Sequence, residues 1–186
     1  MGANLFFAGT GATLELNAVP GDAVLLTAWR ARVERARAGL GWHETDIVAR
    51  CHAGGVSLAI AAPVDQLFLA TEVNEWALCA SLQEREPARW RDLEAALLTA
   101  AIENAPATPG AEGAKPAEID APVLEEAAAS ARFARLAARE ARPALPVLLA
   151  EAQSRGLPCA FDETLLTVGA GGGGRSFPLD ALPAPG

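Results

Sequence analysis

Residues 63–82, PVDQLFLATEVNEWALCASL, constrain the fold more than any other part of the chain. Placed on a helix at about 100° per residue, Leu69, Val73, Trp76, Ala77 and Ala80 form one broad apolar face, which needs a hydrophobic core to receive it. Thr71, Asn74 and Glu75 share a different face, flanked by Leu78 and Leu82, with Phe68 just beyond Glu75. A carboxylate held against apolar neighbours must find a partner or take up a proton. Two readings follow. The three residues form a small polar site, or Asn74 and Glu75 hydrogen-bond neighbouring loops, the commoner use of such groups.

The chain before this helix is patterned as well. Residues 12–19 alternate Leu14, Leu16 and Ala18 with Thr13, Glu15 and Asn17, the two-residue period of a half-buried strand. Pro20 and Gly21 end it, and Asp22 is placed to cap a helix over 23–40. Leu25, Trp29, Val33, Ala36 and Leu40 recur there at helical spacing. The far side carries Arg30, Arg32, Glu34, Arg35 and Arg37. It reads as a solvated face, with attraction of an acidic polymer or phosphate as the alternative. Residues 46–53 and 56–62 predict a hairpin turned at Gly54-Gly55, where both glycines suit positive φ. Pro63 and Asp65 then open the central helix, and 87–103 gives a third with Trp90 and Leu93 on its apolar side. Strand, helix, strand, strand, helix is the order of a ferredoxin-like half. The fold class expected is therefore α+β, an antiparallel sheet with helices packed on one face.

Composition changes at 106–122, PATPGAEGAKPAEIDAP, which has almost no large apolar side chain and reads as an exposed loop or linker. It divides an α+β unit over 1–105 from a segment over 123–186. That segment begins with an Ala- and Arg-rich helix to 141, whose few anchors, Leu124, Phe133 and Leu136, require packing on something else. A helix over 147–155 follows, then a small β element with strands near 158–161, 164–168 and 175–177. Gly169, Gly171 and Gly174 match a dinucleotide-loop spacing, but Arg175-Ser-Phe-Pro178 follows where that loop must open a helix, so a hairpin tip is expected. The single lysine, Lys115, stands in the linker, which leaves no phosphate loop of the Gly-Lys-Ser/Thr type.

A net charge of −8 argues against nucleic-acid binding. No apolar run approaches the roughly 20 residues of a membrane span, and the start of the chain has neither a signal-peptide pattern nor a myristoylation pattern. A cytoplasmic protein is expected, its three cysteines reduced. His43, Cys51 and His52 invite a metal reading, but Cys51 and His52 are adjacent on a strand and point to opposite faces.

LATEVNEWAL, with the preceding GGVSLAIAAPVDQL, resembles the N-terminal domain of cyanophycin synthetases and the Mur-ligase proteins related to them. GANLFFAGTGATLEL at the start is similar to their opening stretch, with Ala3 where Pro is usual. The RGLP turn, LLTVGAGGGG and RSFPLDALP resemble the segment that leads towards their catalytic modules. Thr71, Asn74 and Glu75 stand where polymerising members can carry the His-x-x-Glu-His motif of inverted zinc peptidases, and a Thr/Asn/Glu set is a poor ligand trio for zinc.

The resemblance implies an accessory domain, without catalysis or a cofactor of its own, of a ligase that forms amide bonds through ATP and Mg²⁺. Its partners would be its own downstream ligase core, an amino-acid or peptide acceptor held by Thr71, Asn74 and Glu75, or a second copy in a homo-oligomer. The alternatives are a diverged metal-dependent hydrolase, with Glu72 and Glu75 assisted by His43 or His52, and a free-standing interaction module.

Overall fold

A computed structural model describes residues 5–17, 22–103, 124–162 and 164–182, with the backbone alone over 96–103. In chain order the elements are β1 (Gly11–Asn17), α1 (Ala23–Leu40), β2 (Ile47–His52), β3 (Gly55–Ala61), α2 (Leu67–Arg85) and α3 (Pro87–Glu103). After the break come α4 (Glu126–Glu140), α5 (Ala144–Ser154), β4 (Cys159–Phe161), β5 (Leu165–Val168) and β6 (Arg175–Pro178). The linker over 106–122 lies outside the described residues. The fold is α+β, as the strand and helix periods predict.

β3 lies between β1 and β2 and is antiparallel to both. β1 and β2 are therefore parallel to each other and joined across α1, the split β-α-β arrangement of a ferredoxin-like half. After α2 the chain runs into α3, and within the described residues no fourth strand pairs with β1. Val56, Leu58 and Ile60 face the helices and are fully buried, together with Leu25, Trp29 and Val33 of α1 and Leu69 and Val73 of α2. The side chains chosen by helical spacing on α2, from Leu69 to Ala80, all enter this core.

At the hairpin only Gly55 takes positive φ, at 152°. A Cβ there would stand 1.8 Å from the Leu16 carbonyl oxygen, so close approach of β1 demands glycine at 55 and not at 54.

The arginine side of α1 is solvated in part: Arg30, Glu34 and Arg35 are exposed, Arg32 is half-buried and Arg37 is buried, and the four arginines also reach neighbouring elements. Arg30 donates to the Ile47 carbonyl (2.9 Å) and Arg37 to that of Thr45 (3.2 Å). Arg32 meets Ser81 and Glu84, and Arg35 grips Glu126 through two hydrogen bonds. These guanidiniums tie α1 to β2, α2 and α4, because long Arg stems let a charged head reach a neighbouring element.

α4 joins the first core rather than the C-terminal layer. Ala129 and Phe133 are buried in it, Phe133 edge-on to Trp76 at 5.5 Å, and the Trp76 indole N–H donates to the Leu124 carbonyl. α5 and the antiparallel sheet β4-β5-β6 form a thinner layer, whose buried side chains among the described residues are Leu166 and, on α5, Ala144, Leu145 and Ala152. Residues 171–173 make a single turn of 3₁₀ helix that leads into β6, so the glycines there open no α-helix. No helix among the described residues is long and apolar enough to cross a membrane.

Candidate functional site

Along α2 the three polar candidates separate. Thr71 is at the surface, its hydroxyl donating to the Leu67 carbonyl one turn back. Asn74 is buried, 1 % exposed, and belongs to the core. Its Oδ1 accepts from the Trp29 indole N–H (2.9 Å) and its Nδ2 donates to the Leu58 carbonyl (3.0 Å), which joins α1, α2 and β3 through one amide. Glu75 lies towards α4. Packing against apolar neighbours raises its pKa, repulsion from Glu72 adds to this, and Arg132 opposes it. The structure does not bring the three together on one ligand.

Of the residues considered for a hydrolytic site, Glu72 and His52 are engaged elsewhere. Glu72 pairs with Arg132 of α4 at 2.5 Å. His52 accepts from the Gly54 N–H at Nδ1 and faces Glu15 with Nε2 at 3.4 Å, while Ser57 donates to the same Glu15 carboxylate (2.9 Å). Ser57 therefore has a carboxylate partner and not an imidazole base, so this trio is not arranged to make a nucleophile. Among the described residues no three His, Cys, Asp or Glu side chains converge as metal ligands. Burial pushes the Cys79 thiol up to about 11, with the nearby Glu75 charge adding to the effect, so it is not a thiolate nucleophile near neutral pH.

What is open is a groove of about 880 Å³ between the start of β1, the first turn of α2 and the C-terminal layer. That volume is within the roughly 300–1,000 Å³ of ligand sites. Leu67, Phe68 and Thr71 line one wall, with Phe161 and Leu179 among the residues of the other. Phe68 is 59 % exposed, a large apolar surface left facing water.

The end of α2 at the groove is capped from a distance. Its N-cap, Gln66, has no capping bond because its Oε1 accepts from Trp42. Asp65 does not cap the helix either, since its carboxylate accepts from the Arg142 N–H (2.7 Å). The free amides of Phe68 and Leu69 donate instead to the two oxygens of Glu140 (2.7 and 2.8 Å). Arg142 in turn donates to the carbonyls of Arg139, Glu140 and Ala141 at the end of α4. Each helix end thus satisfies groups that the other leaves unpaired.

No protein-family model, curated protein or solved structure matches this chain. The site is accordingly read from its own chemistry. Asp162, on the far wall, accepts from the amides of Thr164 and Leu165 and from the Thr164 hydroxyl, which hold its carboxyl below the ordinary range and ionised at neutral pH. With Asp65 and Glu140 against Arg142, the lining is net acidic.

Of the groove residues, sequence pattern singles out Thr71 alone as a ligand contact. Asp65 with Arg142, and Phe68 with Glu140, are more than 70 residues apart in sequence. One local signal exists. Glu140 ends α4, where a carboxylate opposes the dipole of its own helix, and such a placement points to a partner elsewhere.

Proposed function

We propose that the chain is a non-catalytic accessory domain of an ATP-dependent ligase that forms amide bonds, of the cyanophycin-synthetase and Mur type, and that its own task is docking. The observation that carries this is the contrast at α2: Thr71, Glu72 and Asn74 are used in structural bonds or an ion pair, while the groove beside its first turn stays open and is lined for contact. Such a surface holds a partner and performs no bond-breaking step. The resemblance of GGVSLAIAAPVDQLFLATEVNEWAL to the leader domain of those ligases supplies the parent activity. On this reading ATP and Mg²⁺ are bound outside these residues. The partner is the ligase core, a second copy, or an amino-acid or peptide acceptor in the groove at Thr71. The setting is the cytoplasm, where such ligases meet ATP.

ATP turnover by the natural gene product is the test. Hydrolysis that depends on an added amino acid or peptide, absent from residues 1–186 alone, is the expected result. A gene product that encodes no ATP-binding module and turns over no ATP would overturn the ligase reading.

A further inference from the structure

β1 is an unprotected edge. In an antiparallel ladder alternate residues turn their N–H and C=O towards the partner strand. The Ala62 N–H donates to the Thr10 carbonyl (3.0 Å) beside the Gly11↔Ala61 pair, so Thr10, Ala12, Leu14 and Leu16 are the residues directed at β3. Gly11, Thr13 and Glu15 therefore direct their backbone groups outward, and among the described residues no strand receives them. The other edge differs. On β2 the outward Ile47 carbonyl is taken by the Arg30 guanidinium, the kind of charged cover that natural edges use.

The open edge and the groove coincide, since Gly11, Ala12 and Thr13 form part of its lining. A fourth strand beside β1 would complete the antiparallel order that β1-β3-β2 begins. The same groove is lined by apolar residues, Phe68, Phe161 and Leu179, and by carboxylates with free acceptor capacity. Asp65 Oδ1 and Asp162 Oδ2 accept no hydrogen bond among the described residues. Arg142, the cation of the lining, has Nη1 committed to the α4 carbonyls. The net charge of −8 attracts the same class of partner at longer range.

We propose that an extended peptide segment with alternating basic and apolar side chains docks in this groove and adds to β1 as a fourth strand. Backbone bonds to Gly11, Thr13 and Glu15 supply binding that is independent of sequence. Asp65 and Asp162 select basic side chains, and Phe68 and Phe161 receive the apolar ones. The inference rests on the docking reading above and names its partner class. It does not require the ligase activity.

Three probes test it with the intact chain: the blocked peptide Lys-Val-Arg-Val-Lys, the same peptide N-methylated at alternate residues, and Glu-Val-Glu-Val-Glu. The first is expected to slow hydrogen exchange at the Gly11, Thr13 and Glu15 amides, and the other two to leave it unchanged. Thr13→Pro removes one outward N–H without touching the β1–β3 ladder and is expected to weaken binding about tenfold. Asp162→Asn keeps the local turn and should flatten the salt dependence. Binding of the N-methylated peptide equal to that of the parent sinks strand addition, even if Thr13→Pro fails to fold. Peptide contacts at Phe68 and Phe161 without protection at β1 leave docking intact and sink the strand. Failure of every peptide overturns the peptide proposal and leaves docking to the ligase core or a second copy standing. Protection at β1 in the free protein that rises with its own concentration assigns the edge to a second copy and overturns the peptide.

Discussion

At Asn74 a single amide uses both of its ends, accepting from Trp29 and donating to Leu58 inside a core that water does not reach. Asn74→Ala leaves the Trp29 indole N–H buried without a partner and takes one of two donors from the Leu58 carbonyl, which keeps its ladder bond to Leu14, and is expected to cost about 1–3 kcal/mol in denaturant unfolding. Glu75, the next residue, behaves oppositely. Its ionised form is disfavoured by apolar packing and by Glu72, so Glu75→Gln should raise stability at pH 7, by no more than about 0.5 kcal/mol because the side chain is exposed. Equal losses from both substitutions would contradict this assignment. Cys79 carries the pH dependence at the alkaline end. Its thiol keeps its proton up to about 11 in the folded state against an ordinary value of 9.0, so the native chain binds more protons than the unfolded one in that window. Stability from this group is intact below pH 9 and lost as pH rises through 11, by about 3 kcal/mol at most. Unfolding followed from pH 8 to 11 should show the decline in the wild type and a shallower one in Cys79→Ala.

At the scale of elements, the α2–α4 junction joins apolar packing at Trp76 and Phe133 to a polar contact at Glu140. Glu140→Ala frees the Phe68 and Leu69 amides and removes a negative charge from the positive end of α2, an expected cost of about 1–2 kcal/mol. Glu140→Gln retains an acceptor and should recover part of it. A change at Glu140 with no effect on unfolding would show that water caps α2 equally well. Local pattern revealed α1, the hairpin and the core face of α2, because each is set by side chains within a few turns of one another. It did not reveal the cap, because Asp65 looks like the start of a helix until Arg142, 77 residues away, takes its carboxylate. Asn74 misled for a related reason. On a helical projection it sits with Thr71, and only the position of Trp29 on another helix turns it into a core residue. The arginines of α1 were legible as charges and not as staples, since Ile47, Ser81 and Glu126 come from three different elements.

Across the whole molecule the packing is uneven, and its stability should be too. Every residue of β3 is buried, and its neighbours include α2 and both flanking strands; α4 closes the same core through Phe133. The sheet β4-β5-β6 has exposed residues along β4 and β6, Leu166 of β5 is its buried side chain, and outside its own strands it packs chiefly on α5. A layer with so little buried apolar surface opens without unfolding the rest. Native-state hydrogen exchange should therefore find β3 amides exchanging through global unfolding and those of β4–β6 through a local opening several kcal/mol lower, on the order of half the global value or less. Leu166→Ala should speed exchange in β4–β6 and leave β3 unchanged, whereas Leu58→Ala should lower protection in β3 and leave β4–β6, which open locally, unchanged. Equal exchange free energies in the two sheets would mean a single cooperative unit. The distinction bears on the groove, because one wall, β1 and α2, belongs to the stable part and the other, with Phe161 and Leu179, to the part that opens. A partner that binds both walls must hold the outer layer closed, so its binding should raise protection in β4–β6 as well as at β1.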